Sequence, residues 1–162
     1  MVFKKIPDDL DAFEGELVIA VVGSDEKPLR ATNAWLDWRL YGSLNTLVAK
    51  NYFNAALGEK FMLPTYGRFQ FDRLVLLGGG PVYQSDAWPD TQAGRDLWRK
   101  LISMIEEALS SLKVSRVGLS LPRYELADQE TALLKLIERA QLPNEISLFL
   151  SRAAQAQRSL PA

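Results

Sequence analysis

Residues 70–81 read Gln-Phe-Asp-Arg-Leu-Val-Leu-Leu-Gly-Gly-Gly-Pro. A short apolar run that stops at consecutive glycines is how a buried strand leaves a sheet. The apolar side chains need cover on both faces, and the glycines let the backbone turn where side chains would collide. Residues 16–22, Glu-Leu-Val-Ile-Ala-Val-Val, repeat the pattern and end at Gly23-Ser24-Asp25. Strands of this kind fit a sheet with helices packed against both sides.

The segments between and after these runs supply the helices. From residue 33 to about 51, Ala34, Trp35, Trp38, Tyr41, Leu44, Leu47 and Val48 recur at three- and four-residue spacing. This predicts a helix in which Gly42 is the natural break, with Thr32 or Asn33 as its N-cap. Residues 60–63 and 69–77 read as strands joined through Pro64-Thr65-Tyr66-Gly67, as a hairpin or by a short crossing connection. Residues 81–89 form an irregular loop. The clearest helical stripe lies in residues 91–112, where Leu97, Trp98, Leu101, Ile102, Ile105, Ala108, Leu109 and Leu112 share a face and Asp90 or Thr91 can cap.

Residues 114–121 alternate as a strand that Pro122 ends. Asp128 is the expected cap of a further helix carrying Leu133, Leu134, Leu136 and Ile137 and closed by Pro143, and Ile146, Leu148 and Leu150 mark a last strand. Strands separated by helices of this length predict an α/β domain with a largely parallel sheet. That domain is expected over residues 1–150, followed by a polar, alanine-rich tail at 151–162, helical or disordered.

Composition removes much of the chemistry such a fold can carry. The chain has no histidine and no cysteine, which excludes disulfides, thiolate nucleophiles and zinc sites that need sulfur. Nineteen basic residues against 20 acidic ones leave a net charge of −1, and no basic run exceeds Lys4-Lys5, so nucleic acid is not an expected partner. The first ten residues include Lys4, Lys5, Asp8 and Asp9 and lack the apolar stretch of a signal peptide, and no window approaches the ~20 apolar residues of a membrane span. A soluble cytoplasmic protein is the expectation.

The order and wording of these segments resemble the N-terminal domain of leucyl aminopeptidases of the M17 peptidase family. The resemblance rests on residues 17–22, then Leu36-Asp37 leading into Gly42-Ser43-Leu44, then Asn51-Tyr52-Phe53-Asn54 with Leu57-Gly58-Glu59, then Arg73-Leu74-Val75-Leu76-Leu77-Gly78-Gly79-Gly80. It covers roughly residues 12–150. It implies a three-layer α/β/α fold similar to macro domains, with a mixed, largely parallel sheet. Peptidase activity is not implied, because in that family the metal-binding residues belong to a separate C-terminal domain whose Asn-Thr-Asp signature these 162 residues do not contain. The chain also departs from the family at Asn54-Ala55-Ala56-Leu57-Gly58-Glu59, where a glycine-lysine-glycine precedes the glutamate, and at Gly78-Gly79-Gly80, where the family has Gly-Leu-Gly.

Three functional readings follow. The first is a non-catalytic interaction or regulatory module that binds another protein, or a second copy of itself, through Tyr83 and Trp88, since loop aromatics make good interface anchors. The second is a macro-like domain for a nucleotide or ADP-ribose type of ligand. It would use the loops after residues 22, 77 and 121, with Gly23, Ser24, Asp25, Gly78, Gly79 and Gly80 as candidate ligand-binding residues. Against the glycines stands a plain structural role as a tight turn, and Pro81 removes one donor. The third and least favoured is a hydrolase that uses carboxylates alone. No catalytic residue, metal ligand or cofactor is assigned.

Overall fold

The six residues of strand β2 (Leu17–Val22) are all buried and sit at the centre of the domain. Their alternation divides two cores: Leu17, Ile19 and Val21 face one side of the sheet, and Val18, Ala20 and Val22 the other. A strand covered on both faces must be apolar at every position, which is why this one reads as a continuous run and does not alternate. The structure, a computed structural model, describes residues 2–7, 13–124, 126–142 and 145–150. Pro143 and the expected tail at 151–162 lie outside them.

Around β2 the sheet has six strands in the order β1-β6-β5-β2-β4-β3. β1 (Val2–Pro7), β6 (Glu145–Leu150), β5 (Arg116–Ser120), β2 and β4 (Arg73–Gly78) are parallel, and only β3 (Lys60–Pro64) runs antiparallel, on β4. β3 and β4 are therefore a hairpin. β4 begins later than its sequence suggests, because Phe69 and Phe71 stack on each other at 4.7 Å in the connecting loop, and Phe71 fills the core from there. β1 gives little sequence signal: it is an edge strand, where Lys4, Lys5 and Pro7 are tolerated.

One face is covered by α1 (Ala31–Arg39) and α2 (Ser43–Ala49), the other by α3 (Gln92–Leu112) and α4 (Ala127–Ala140). The helix expected over 33–51 is thus two helices, parted at Gly42, whose φ is 77°. Thr32 and Asn33 do not cap α1. The N-cap is Arg30, two to three residues earlier, and the Asn33 side chain is turned inward to a buried network. Thr91 does cap α3, its hydroxyl accepting from the Gly94 N–H at 3.0 Å. Asp128 lies in the first turn of α4 and the cap position is Leu126. No helix among the described residues is long and apolar enough to cross a membrane.

The glycine run after β4 is explained mainly by close approach. A Cβ on Gly78 would lie 2.1 Å from the Ala56 carbonyl oxygen, a backbone atom that cannot step aside. Gly78→Ala is expected to lower stability by more than about 3 kcal/mol in urea unfolding, as overpacking against fixed backbone does. Gly42→Ala, where nothing lies within 4 Å and only the positive φ is strained, is expected to cost about 1–2 kcal/mol. Equal costs at the two positions would contradict this account.

Candidate functional site

The central parallel strands end together, at Val22, Gly78 and Ser120, and the loops that leave them enclose a cleft of about 460 Å³. Its lining is Arg30, Ala31, Tyr83, Trp88, Arg123, Tyr124, Leu126 and Gln129. Three aromatic side chains and one leucine supply apolar wall, and two guanidinium groups supply positive charge. Arg30 lies over the Tyr83 ring, 4.8 Å from its centroid, so one cation is held at the wall by the ring's electron-rich face.

Two helices begin at this cleft. Ala31 opens α1 and Leu126 is the N-cap of α4, and neither cap residue contributes a side-chain bond to the first turn. The positive end of a helix dipole favours an anion there. In α4 the first-turn acids Asp128 and Glu130 already offset that field, whereas α1 has no acid in its first turn. Ala31 itself has φ 52°, a left-handed conformation costing an alanine about 1–2 kcal/mol and held by the loop around it.

Beside these lining residues, at the strand ends, runs a polar seam. Ser120 donates to Asn33 Oδ1 at 2.6 Å, and Asn33 Nδ2 donates at 2.9 Å to both the Val21 carbonyl and Glu26 Oε2. Glu26 is 0% exposed. Tyr83 N–H donates to Asp25 Oδ2 at 2.9 Å, and Ser24 N–H to the Gly80 carbonyl at 2.8 Å, so the loops after β2 and β4 are tied together. Tyr124 donates to the Val82 carbonyl at 2.9 Å and accepts from Trp98 Nε1 at 3.0 Å, which fixes its ring in the wall.

Three buried atoms in this region have no hydrogen-bond partner among the described residues: Asp25 Oδ1, Glu26 Oε1 and the Tyr83 hydroxyl. The last two sit close enough to act on each other's charge. Burial pushes the Glu26 carboxyl up from 4.5 to about 7, against smaller downward pulls from Asn33, Tyr83 and Arg30. Burial, and then the Glu26 charge, also push the Tyr83 phenol up.

The residues singled out from sequence take different places. Tyr83 and Trp88 line the cleft and are both partly buried, so they do not form an exposed patch. Gly23, Ser24 and Asp25 form the turn behind the cleft and do not line it. The N–H groups of Gly78, Gly79 and Gly80 are bonded to the carbonyls of Glu59, Val22 and Ala55 at 2.7, 2.9 and 3.0 Å, and so face the fold and not a ligand. Sequence reasoning passed over Glu26, Arg30, Arg123 and Tyr124. Their signal was positional: Glu26, Arg123 and Tyr124 stand three or four residues, and Arg30 eight, beyond the C-terminal end of a parallel strand, where open α/β sheets gather their ligands.

A buried acid that prefers its neutral form lowers stability when it is made to ionise. The folded carboxyl of Glu26 binds its proton more tightly than the unfolded one, so its contribution is present below about pH 4.5 and is lost as pH rises toward about 7. Glu26→Gln is expected to gain up to about 3 kcal/mol relative to the parent between about pH 5 and pH 8, measured by urea unfolding at both pH values. A difference that does not change with pH would contradict the assignment.

A family model for the "Cytosol aminopeptidase family, N-terminal domain" matches residues 18–145. No curated protein matches the chain in sequence. Among solved structures, a tomato leucine aminopeptidase mutant aligns over 93% of this chain with a TM-score of 0.60 and 15% identity. The chain spans only 32% of that enzyme's length. The macro domain of ganglioside-induced differentiation-associated protein 2 aligns over 98% of this chain and 83% of its own, with a TM-score of 0.65 and 14% identity. The Oceanobacillus iheyensis macrodomain with ADP aligns over 91% and 83%, with a TM-score of 0.60 and 13% identity. At these identities the likeness is one of fold: the three-layer, macrodomain-like α/β arrangement.

Proposed function

The chain belongs to the N-terminal domain family of the cytosol aminopeptidases, and from that premise we propose that it is a non-catalytic binding module that takes a small anionic ligand of the nucleotide class in the cleft beyond its central strands. The observation that carries this reading is the pairing of Arg30 and Arg123 with the rings of Tyr83, Trp88 and Tyr124 around one concave space. A nucleotide presents a planar base and a charged phosphate group, and the cleft offers aromatic wall for the first and guanidinium groups with a helix N-terminus for the second. Its volume of about 460 Å³ falls within the range of small-molecule sites. The macrodomain solved with ADP shows that this fold accommodates such a ligand in another protein.

The cleft offers groups that bind and orient. The chain has no histidine or cysteine to act as base or nucleophile, and Tyr124 has both its donor and its acceptor engaged within the fold. On this reading the module's output is occupancy and not turnover, which is a regulatory role.

Isothermal titration with ADP and with ADP-ribose tests the proposal. Saturable one-to-one binding is expected, and Arg30→Ala or Arg123→Ala should weaken it by about tenfold or more, the usual cost of a charge-assisted contact. Neither change should alter thermal stability much, since Arg30 is exposed and Arg123 only partly buried. Binding that both substitutions leave intact, or no binding by either nucleotide, would contradict the reading.

A further inference from the structure

Glu26, a fully buried acid that Arg30 and Tyr83 of the cleft wall act on, has no structural duty that an amide would not serve as well. Glu26 Oε2 accepts from Asn33, while Oε1 is buried with no partner among the described residues. An ionised carboxylate left so is costly, whereas a carboxylic acid carries its proton on the unpartnered oxygen. The group lies where its charge would be felt by a ligand. Arg30 and Tyr83, which act on the Glu26 carboxyl, are themselves in the cleft wall.

We propose that Glu26 sets how much negative charge the cleft accepts: as a neutral acid it leaves the positive charges of Arg30 and Arg123 to a doubly charged anion such as a diphosphate, and as a carboxylate it offsets one of them. This deepens the nucleotide-binding reading and rests on it. The groups that act on the carboxyl come from three elements: Arg30 in its own loop, Asn33 on α1 (with Ser120 of β5 bonded to it) and Tyr83 after β4; Arg123 and Tyr124, after β5, act on Tyr83, and Asp25 is turned to the Tyr83 amide. Burial moves the Glu26 carboxyl into the neutral pH range. An anion bound above it raises the cost of ionising it further, so binding and proton uptake are linked and must be reciprocal.

ADP-ribose is a suitable probe because its diphosphate is a diester on both sides and has no group titrating between about pH 5.5 and pH 8.5. In titration calorimetry across that range, the parent protein's affinity should fall about tenfold as pH rises, the size expected for one unit charge acting through a partly screened interior. Glu26→Gln should hold the low-pH affinity throughout. Calorimetry of the parent near pH 7 in buffers of different ionisation enthalpy should register uptake of a fraction of one proton per ligand, a readout that needs no variant. Binding that is independent of pH, zero proton uptake, or a Glu26→Gln protein that keeps the pH dependence would overturn this inference and leave the cleft as a nucleotide site. Failure to bind ADP-ribose at any pH would overturn the nucleotide reading and this inference with it.

Discussion

β2 has no side turned to water, and the rest of the domain is arranged to keep it that way. Its odd positions need α3 and α4, its even positions need α1, α2 and the aromatic residues Phe13, Phe53 and Phe71, and its edges need β4 and β5. At roughly 25 cal/mol per Å² of apolar surface, burying its six residues is a principal local contribution to folding. The same arrangement has a geometric result. Parallel neighbours all end at one edge of the sheet, so the loops after Val22, Gly78 and Ser120 meet there, and what lines the cleft is what those loops and the following helix starts carry.

At that edge the apolar economy of the core gives way to a seam of polar groups. Asn33 is the pivot: its amide satisfies the last turn of β2 at Val21, holds Glu26, and receives the Ser120 hydroxyl, so one helical side chain ties β2, its loop and β5 together. A fully bonded seam rigidifies, and a partly bonded one is sensitive to whatever enters it. Here the seam is partly bonded, and its unpartnered oxygens lie behind the wall that Tyr83 and Arg30 present to the cleft. Stability and recognition therefore meet in the same few residues.

Most of the architecture was legible in the residues, and the reasons are local. Apolar runs at β2 and β4 and the long stripe of α3 each state their environment in one short segment, and the family resemblance supplied the layer order. What was hidden depends on contacts between distant segments. Asn33 has the chemistry of a cap, but a buried acceptor at Val21 and a buried acid at Glu26 draw its side chain inward. The three glycines invite a phosphate loop, yet their N–H groups are taken by Glu59, Val22 and Ala55. The lysines of β1 conceal a strand because charged residues are common at a sheet edge. For the cleft, Tyr83 and Trp88 were visible as loop aromatics, while Arg30 and Arg123 mean little until the fold sets them around one space.

The most direct test of the central claim, that the strand-end cleft is where this domain meets a ligand, is a map of amide and indole chemical shifts on addition of ADP. The account predicts that the perturbed signals cluster at Arg30, Ala31, Tyr83, Trp88 and the start of α4, with the exposed aromatics Trp38, Tyr41 and Tyr66 unmoved. Perturbations confined to those exposed rings, or none at all, would contradict it.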